Sequence, residues 1–216
     1  MLVRDRMSRN PITTYPTASV PDALQVMRGS KVRQLPVLND KGELVGIVSL
    51  EDLLKFSPSP ATSLSVYELN YLLEKLKVEE VMTRDVITVT EDVALEEAGR
   101  IMADSKISGV PVMRDGELVG IITESHLFSV LVELFGARKP GVRLTLSVAE
   151  VQGTLAKITA AISALGGVFV AFGEIDEPEE GRFIATMKIQ NVAREDLVKA
   201  MKPLVLAIED VREIRE

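Results

Sequence analysis

The chain has 216 residues, of which 46% are hydrophobic and 26% are charged, and its 25 Lys and Arg against 32 Asp and Glu give a net charge of −7. With no cysteine and one histidine, it lacks the residues for disulfides, thiolate nucleophiles, zinc–thiolate sites and multi-histidine metal clusters. The acidic balance and the 4% aromatic content argue against nucleic acid as the main partner. No stretch approaches the roughly 20 apolar residues that span a bilayer, and no secretory signal is recognisable, so the sequence predicts a cytoplasmic protein.

An internal duplication organises the first two thirds of the chain. Residues 3–54 recur about 75 positions later, at 78–128, and the run from Gly42 to Ile47 returns unchanged as Gly116 to Ile121. A unit of this size cannot bury enough apolar surface alone. The two copies are therefore predicted to pack together as one module.

Each copy predicts a short extended piece, an amphipathic helix, two strands and a second helix. The extended pieces are residues 12–14 and 87–90. The first helix is predicted to follow Ser19, whose spacing to Asp22 suits an N-cap, and to bury Ala23, Val26 and Met27. Strands at 35–38 and 43–49 flank a hairpin turn, which the second copy shortens to 114–116.

The second strand of each copy runs into a helix at a hydroxyl residue. In the first copy Ser49 stands at this point and Asp52 follows one turn later, where its carboxylate could accept two hydroxyl hydrogen bonds. The same spacing also describes a plain capping box, and both interpretations remain open. In the second copy Thr123 keeps the hydroxyl, but His126 replaces the acid.

Three motifs appear in order: an extended Thr segment, a Leu-Pro-Val or Val-Pro-Val strand, and a Gly-hydrophobic-x-Ser/Thr-x-x-Asp helix start. Together they resemble the CBS domain, here as the tandem pair called a Bateman module. The resemblance implies a cleft for an adenine nucleoside or nucleotide in each repeat, with the hydroxyl on phosphate and the acid on the ribose. The implied nucleotide-binding residues are Thr13, Arg33, Gln34, Leu35, Pro36, Ser49 and Asp52. A second, weaker cleft is expected from Thr88, Gly109, Val110, Pro111, Thr123 and His126.

The two copies differ in charge. Residues 3–56 carry a net charge of +2 and residues 78–135 a net charge of −8. A phosphate is therefore expected to prefer the first repeat, whose cations near the expected cleft are Arg4, Arg6, Arg9, Lys31 and Arg33. Because the copies pack together, the alternative is that one repeat supplies cations to the other's cleft.

Between the copies, the prolines at 58 and 60 end the preceding helix, and a capping box of Ser65 and Glu68 predicts another. The apolar face of this linker helix either packs on its own module or helps to pair two chains.

The last third predicts the order βαββαβ, a ferredoxin-like sandwich. Strands are expected at 142–149, 168–175, 183–190 and 211–214, with helices at 154–165 and 194–201. The run from Gly153 to Ile158 after the first strand and the paired glycines Gly166 and Gly167 before the second resemble an ACT domain. The resemblance implies either amino-acid binding or dimerisation, with a ligand turn of Glu150, Gln152, Gly153, Thr154 and Leu155.

The predicted organisation is α+β, with CBS repeats at 1–56 and 78–135, a linker at 57–77 and an ACT-like domain at 136–216. Over its whole length it resembles the acetoin-utilisation AcuB-type family. We therefore expect a non-catalytic, homodimeric metabolite sensor without cofactor or metal, acting on a separate regulated protein and possessing no nucleic-acid or membrane partner. Its effector would be an adenine nucleotide such as AMP, ADP or ATP, or S-adenosylmethionine. The alternative is a structural or interaction protein with empty clefts.

Overall fold

The computed structural model describes residues 1–56 and 74–215. They form two compact units, Met1–Leu127 and Phe128–Glu216. The prolines predicted to end a helix and the capping box at Ser65 lie outside the described residues. Among the residues described, no helix is both long enough and apolar enough to cross a bilayer.

The first repeat contains helix α1 (Val20–Ser30), strands β2 (Gln34–Leu38) and β3 (Leu44–Ser49) and helix α2 (Leu50–Lys55). It is preceded by a 3-10 turn (Val3–Asp5) and a short strand, β1 (Ser8–Arg9). Helix α1 begins as predicted, because the Ser19 hydroxyl accepts a hydrogen bond from the Asp22 N–H. Its buried positions are Val20, Ala23 and Met27. Val26 was predicted to be buried as well, but it is 36% exposed and lies outside the core.

The second repeat keeps the order helix, strand, strand, helix of the first. Its elements are α3 (Val78–Val81), β4 (Val89–Thr90), α4 (Leu95–Ser105), β5 (Gly109–Arg114), β6 (Glu117–Thr123) and α5 (Glu124–Leu134). Asp115 and Gly116 both have positive φ, 52° and 86°, as a two-residue turn between twisted strands requires. The boundary between the compact units falls within α5, whereas the sequence analysis divided the chain at 136.

The leading segment of each repeat packs on the other repeat. Strand β1 pairs with β6 of the second repeat, with Ser8 opposite Ile121. In the same way Thr83, in the leading segment of the second repeat, bridges Ile47 of β3. Neither repeat is therefore complete alone, and the apolar core of the first includes Val78 from α3. The two repeats form one module because they exchange these segments.

The second unit contains β7 (Gly141–Ala149), α6 (Thr154–Ala164), β8 (Val168–Glu177), β9 (Arg182–Gln190), α7 (Arg194–Met201) and β10 (Ala207–Ile214), with a 3-10 turn at Pro178–Glu180. Its strands form an antiparallel sheet in the order β10-β7-β9-β8. The apolar side chains of α6 and α7 pack on one face of this sheet.

The sequence of strand β9 has apolar residues at alternate positions, which predicts one buried and one exposed face. Phe183, Ala185, Met187 and Ile189 are buried as this pattern predicts, but Lys188, on the opposite face, is only 5% exposed. Its Nζ donates hydrogen bonds to the carbonyl oxygens of Gly136 (2.7 Å) and Lys139 (3.0 Å). The connector, which is residues 135–140 between α5 and β7, thus covers this amine.

Candidate functional site

A cleft of about 420 Å³ opens beside the start of helix α2, and we call it the Ser49 cleft. Its volume falls within the range of small-molecule sites, about 300–1,000 Å³. Both repeats contribute to it, together with the segment before α4. The lining residues are Gln34, Ile47, Ser49, Glu51, Asp52, Lys55, Thr83, Asp85, Val86, Ile87, Lys106, Ile107, Ser108, Gly109 and Pro111.

Ser49 and Asp52 hold each other in place at one wall of the cleft. The Ser49 N–H and hydroxyl donate to Asp52 Oδ2 at 3.1 and 2.6 Å, and the Asp52 N–H donates back to Ser49 Oγ at 3.1 Å. This is a complete capping box. The second carboxylate oxygen, Oδ1, lies 3.5 Å from Lys55 Nζ. The capping interpretation is therefore correct, and the carboxylate oxygen that the cap does not use lies next to Lys55.

Gln34 and Gly109 occupy equivalent positions in the two repeats and meet where the repeats pack. Gln34 Nε2 donates to Ser108 Oγ at 2.8 Å. Its Oε1 is buried and accepts no hydrogen bond, and a Cβ at Gly109 would collide with it. The side chain of residue 34 thus fills the space that a side chain at 109 would need, and a larger residue there would require Gln34 to move.

The Ser49 cleft carries more acid than base. Its carboxylates belong to Glu51, Asp52 and Asp85, and its cations to Lys55 and Lys106. Lys55 already lies 3.6 Å from Glu51 Oε1 in addition to its contact with Asp52. Within the described residues, no group of three acidic, histidine or cysteine side chains is placed to hold a metal ion.

At the start of α5, His126 takes the part that Asp52 plays at α2. The Thr123 N–H donates to His126 Nδ1 at 3.0 Å, so Nδ1 carries no proton. The neutral ring then carries its proton on Nε2, which lies 3.1 Å from Ser8 Oγ. Burial lowers the pKa of His126 below its usual 6.5, because the charged ring loses solvation. The imidazole is thus a neutral cap.

The structure groups the predicted binding residues differently from the sequence analysis. Of the set assigned to the first repeat, only Gln34, Ser49 and Asp52 line the Ser49 cleft; Thr13, Arg33, Leu35 and Pro36 do not. Gly109 and Pro111, assigned to the second cleft, line the Ser49 cleft instead. Leu35 and Val110 are fully buried core residues, and Thr88 is exposed outside this cleft. The Ser49 cleft is therefore lined by residues of both repeats.

Several lining residues were absent from the prediction, among them Thr83, Asp85, Lys106 and Ser108. Their signal in the sequence was their place in the second copy, 75 residues after Ser8, Asn10, Lys31 and Arg33. The spacing of 75 residues identifies equivalent positions in the two copies. It does not show whether a given residue lies near the start of α2 or near the start of α5.

In the second unit, the turn between β7 and α6 is open to solvent. Glu150, Gln152 and Gly153 are exposed, Thr154 is half-buried and Leu155 is 37% exposed. Gly153 has φ 84° and caps the helix in the left-handed conformation. A separate cavity of about 700 Å³ lies elsewhere in this unit, lined by residues of α5 and the connector, and contains none of the predicted site residues.

The sequence profile of the CBS domain matches residues 3–59 and 78–133, more than half of the chain. The chain belongs to the CBS domain family. The two matches coincide with the two repeats, so the first unit is a tandem CBS pair.

Solved structures of CBS pairs resemble this one. The CBS pair of protein MJ0100, in complex with 5′-methylthioadenosine and S-adenosyl-L-methionine, has 31% identity, covers 64% of this chain and 98% of its own, and gives a TM-score of 0.51. CBSX2 in complex with AMP gives the same identity, coverages and TM-score. A putative acetoin utilization protein (AcuB) from Vibrio cholerae has 31% identity, 64% and 95% coverage and a TM-score of 0.52.

Curated relatives include uncharacterized protein MJ1426 of Methanocaldococcus jannaschii, 34% identical over 61% of this chain and 92% of the relative. The L-aspartate semialdehyde sulfurtransferase of the same organism is 32% identical over 64% of this chain. A homoserine O-acetyltransferase of Methanosphaera stadtmanae is 30% identical over 58%. The chain spans only 24% and 23% of those two enzymes.

Proposed function

We propose that this protein is a non-catalytic metabolite sensor whose CBS pair binds an adenosine-containing ligand. The observation that carries the proposal is the Ser49 cleft, which has the volume of a small-molecule site and an oriented Asp52 carboxylate on its wall. A carboxylate with one oxygen fixed by the cap and the other next to an exposed lysine can still accept a hydrogen bond from a ribose hydroxyl.

The ligands of two similar structures support the chemical class. Both 5′-methylthioadenosine and S-adenosyl-L-methionine accompany the CBS pair of MJ0100, and AMP accompanies CBSX2. These ligands share adenosine and differ in the charge at the 5′ position. The proposed ligand of this chain is accordingly AMP, ADP, ATP or an S-adenosylmethionine-like adenosine derivative.

Regulation, rather than chemistry on the bound ligand, is the proposed output. The matched enzymes are about four times as long as the part they share with this chain, which fits a binding module added to a catalytic protein. Ligand binding would act by favouring one conformation of the module through differential affinity. The regulated protein, an acetoin-utilisation role and a cytoplasmic location stay predictions.

We assign the second unit the role of an ACT-type domain that dimerises or binds an amino acid. Its βαββαβ order leaves β8 and β10 as sheet edges. Pairing edge strands between two copies would satisfy their free backbone groups, which is a physical reason for a homodimer.

The test is thermal unfolding of the full chain with 5′-methylthioadenosine, S-adenosylmethionine, AMP and ATP, and separately with a panel of amino acids. A ligand at 100 times its dissociation constant adds about 2.7 kcal/mol to the free energy of unfolding. At least one adenosine ligand is expected to raise the melting temperature. Failure of all four to do so would contradict the proposed function.

The site is tested with Asp52→Asn, which keeps an oxygen to accept from the Ser49 N–H but removes the charge. We expect at least tenfold weaker binding of at least one adenosine ligand, because hydrogen bonds to charged groups contribute about 1.5–3 kcal/mol. Asp40→Asn, in the exposed β2–β3 turn, is the matched control. Equal affinities of the Asp52→Asn variant and the wild type for every ligand would remove the Ser49 cleft from the proposal.

A further inference from the structure

The two repeats are related by an internal twofold symmetry that extends to individual hydrogen bonds. The Leu50 N–H donates to Arg33 O, and the equivalent Glu124 N–H donates to Ser108 O. The exchanged segments repeat the pattern, since the Val78 N–H donates to Ala18 O and the Val3 N–H to Val93 O. This symmetry relates each residue that lines the Ser49 cleft to a counterpart in the other repeat. The region that these counterparts define around Thr123 and His126 is called the His126 cleft.

The symmetry predicts which residue faces the His126 cleft at each position. The contact between Ser8 and His126 agrees with this prediction. Thr83 lines the Ser49 cleft, and its counterpart Ser8 lies 3.1 Å from His126 Nε2. Gly109, which lines the Ser49 cleft, is also paired with Thr123 across the β5–β6 hairpin. Gln34 and Gly109 are each other's counterparts and both line the Ser49 cleft, so the symmetry places both in the His126 cleft as well.

Every carboxylate of the Ser49 cleft is replaced by an uncharged residue in the His126 cleft. The counterparts of Glu51, Asp52 and Asp85 are Ser125, His126 and Asn10. Glu124 begins α5, but its counterpart Leu50 does not line the Ser49 cleft. The positions equivalent to the lining residues therefore bring no negative charge to the His126 cleft.

The cations change in position and not in number. Lys106 has Lys31 as its counterpart, the neutral Ser108 has Arg33, and Lys55 has the neutral Ser129, so two cations remain while the three carboxylates are lost. Lys31 and Lys106 stand in the same backbone conformation, with φ 55° and 54° at the ends of α1 and α4. Both Lys31 and Arg33 are exposed. Neither forms an ion pair with a described side chain.

We propose that the two clefts select ligands by charge. The His126 cleft binds the phosphate of an anionic adenosine ligand through Arg33 and Lys31, whereas the Ser49 cleft binds a neutral or cationic adenosine derivative through Asp52. The reason is electrostatic: Arg33 offers paired N–H donors to phosphate oxygens, and three carboxylates repel a phosphate from the Ser49 cleft. The assignment rests on the proposed function and adds the ligand class of each site.

The experiment is isothermal titration of the full chain with AMP and with 5′-methylthioadenosine, which differ in charge at the 5′ position. Arg33→Ala is expected to weaken AMP binding at least tenfold and to change 5′-methylthioadenosine binding less than twofold. Asp52→Asn is expected to show the reverse. Arg28→Ala, which removes an exposed α1 cation whose counterpart Ala103 does not line the Ser49 cleft, is the matched control and should change neither affinity.

Restoring the cation with Arg33→Lys should recover part of the AMP affinity, and raising the salt concentration should weaken AMP binding more in the wild type than in Arg33→Ala. If Asp52→Asn abolishes AMP binding while Arg33→Ala leaves it intact, the charge assignment is overturned and the proposed function stands. If neither ligand binds the wild-type protein, the proposed function fails and the assignment falls with it.

Discussion

At the residue scale, Asp52 and His126 show how one position can keep a structural role while its ligand chemistry changes. Both accept a hydrogen bond from the backbone N–H of the residue three positions earlier. Asp52 does so as a carboxylate with a second oxygen to offer, whereas His126 uses Nδ1 and directs Nε2 to Ser8. Both repeats therefore have a side-chain cap at this position, but only the first repeat has a carboxylate there.

The pKa of His126 predicts a stability that depends on pH. The folded chain favours the neutral ring, because burial lowers the pKa below 6.5 and Nδ1 accepts from Thr123. As pH falls below 6.5, His126 is therefore protonated in the unfolded chain before it is protonated in the folded chain, and the folded state loses stability. This loss is complete once the pH is below the pKa of His126 in the folded chain. Above pH 6.5 this contribution is constant.

His126→Asn provides the comparison, since its amide oxygen can accept from the Thr123 N–H without titrating. We expect the melting temperature of the wild type to fall more between pH 7.5 and 5.5 than that of the variant. His126 is the single histidine of the chain, so no other histidine shares this window. Identical pH profiles for the two proteins would contradict the neutral-cap assignment.

At the element scale, the exchange of leading segments depends on glycines in β3 and β6. A Cβ at Gly120 would lie 2.5 Å from Met7 Sδ and 3.0 Å from the carbonyl oxygen of Ser8. At the equivalent Gly46 a Cβ would collide with Met82 and lie 3.2 Å from the carbonyl oxygen of Thr83. The repeated run from Gly42 to Ile47 thus includes a glycine where another backbone crosses the strand.

Gly120→Ala is expected to destabilise the protein by about 1–3 kcal/mol, as overpacking against backbone does. The measurement is urea unfolding. Gly29→Ala is the control, because a Cβ there meets nothing within 4 Å, and replacing a helical glycine stabilises by up to about 1 kcal/mol. Unchanged stability of Gly120→Ala would mean that β1 does not cross β6 this closely.

The second prediction at this scale concerns Lys188, whose amine joins β9 to the connector through two hydrogen bonds. Lys188→Met keeps the apolar stem and leaves the carbonyls of Gly136 and Lys139 without this donor, at an expected cost of about 1–3 kcal/mol in the free energy of unfolding. The control, Lys199→Met on the exposed side of α7, should change it by less than about 0.5 kcal/mol. Equal denaturation curves for the two variants would show that the amine contributes nothing.

Burial also lowers the pKa of Lys188, and the positive charge of Arg143 lowers it further. The alternation of apolar residues in β9 predicts that Lys188 lies on the solvent side of the strand. Alternation correctly put it opposite the core, but only the path of the connector decides whether that face is open to water.

At the scale of the whole molecule, the net charge of −7 conceals an uneven distribution. The sequence analysis assigned a phosphate to the first repeat because that repeat is the more basic. In the structure Lys106 and Ser108 reach the Ser49 cleft from the second repeat, so by symmetry Lys31 and Arg33 face the other helix start. The alternative left open from the sequence, that one repeat supplies cations to the other's cleft, is the one this geometry favours.

The sequence by itself determined the local features: the duplication, the hairpin turns, the caps at Ser19 and Ser49, and the order of strands and helices. These follow from residues a few positions apart, where backbone geometry and hydrogen bonding set the outcome. Which side chains share a cleft, and which lysine is covered, was decided only by tertiary structure. Residues such as Ser49 and Lys106 are far apart along the chain, and their meeting depends on how the two repeats exchange segments and pack.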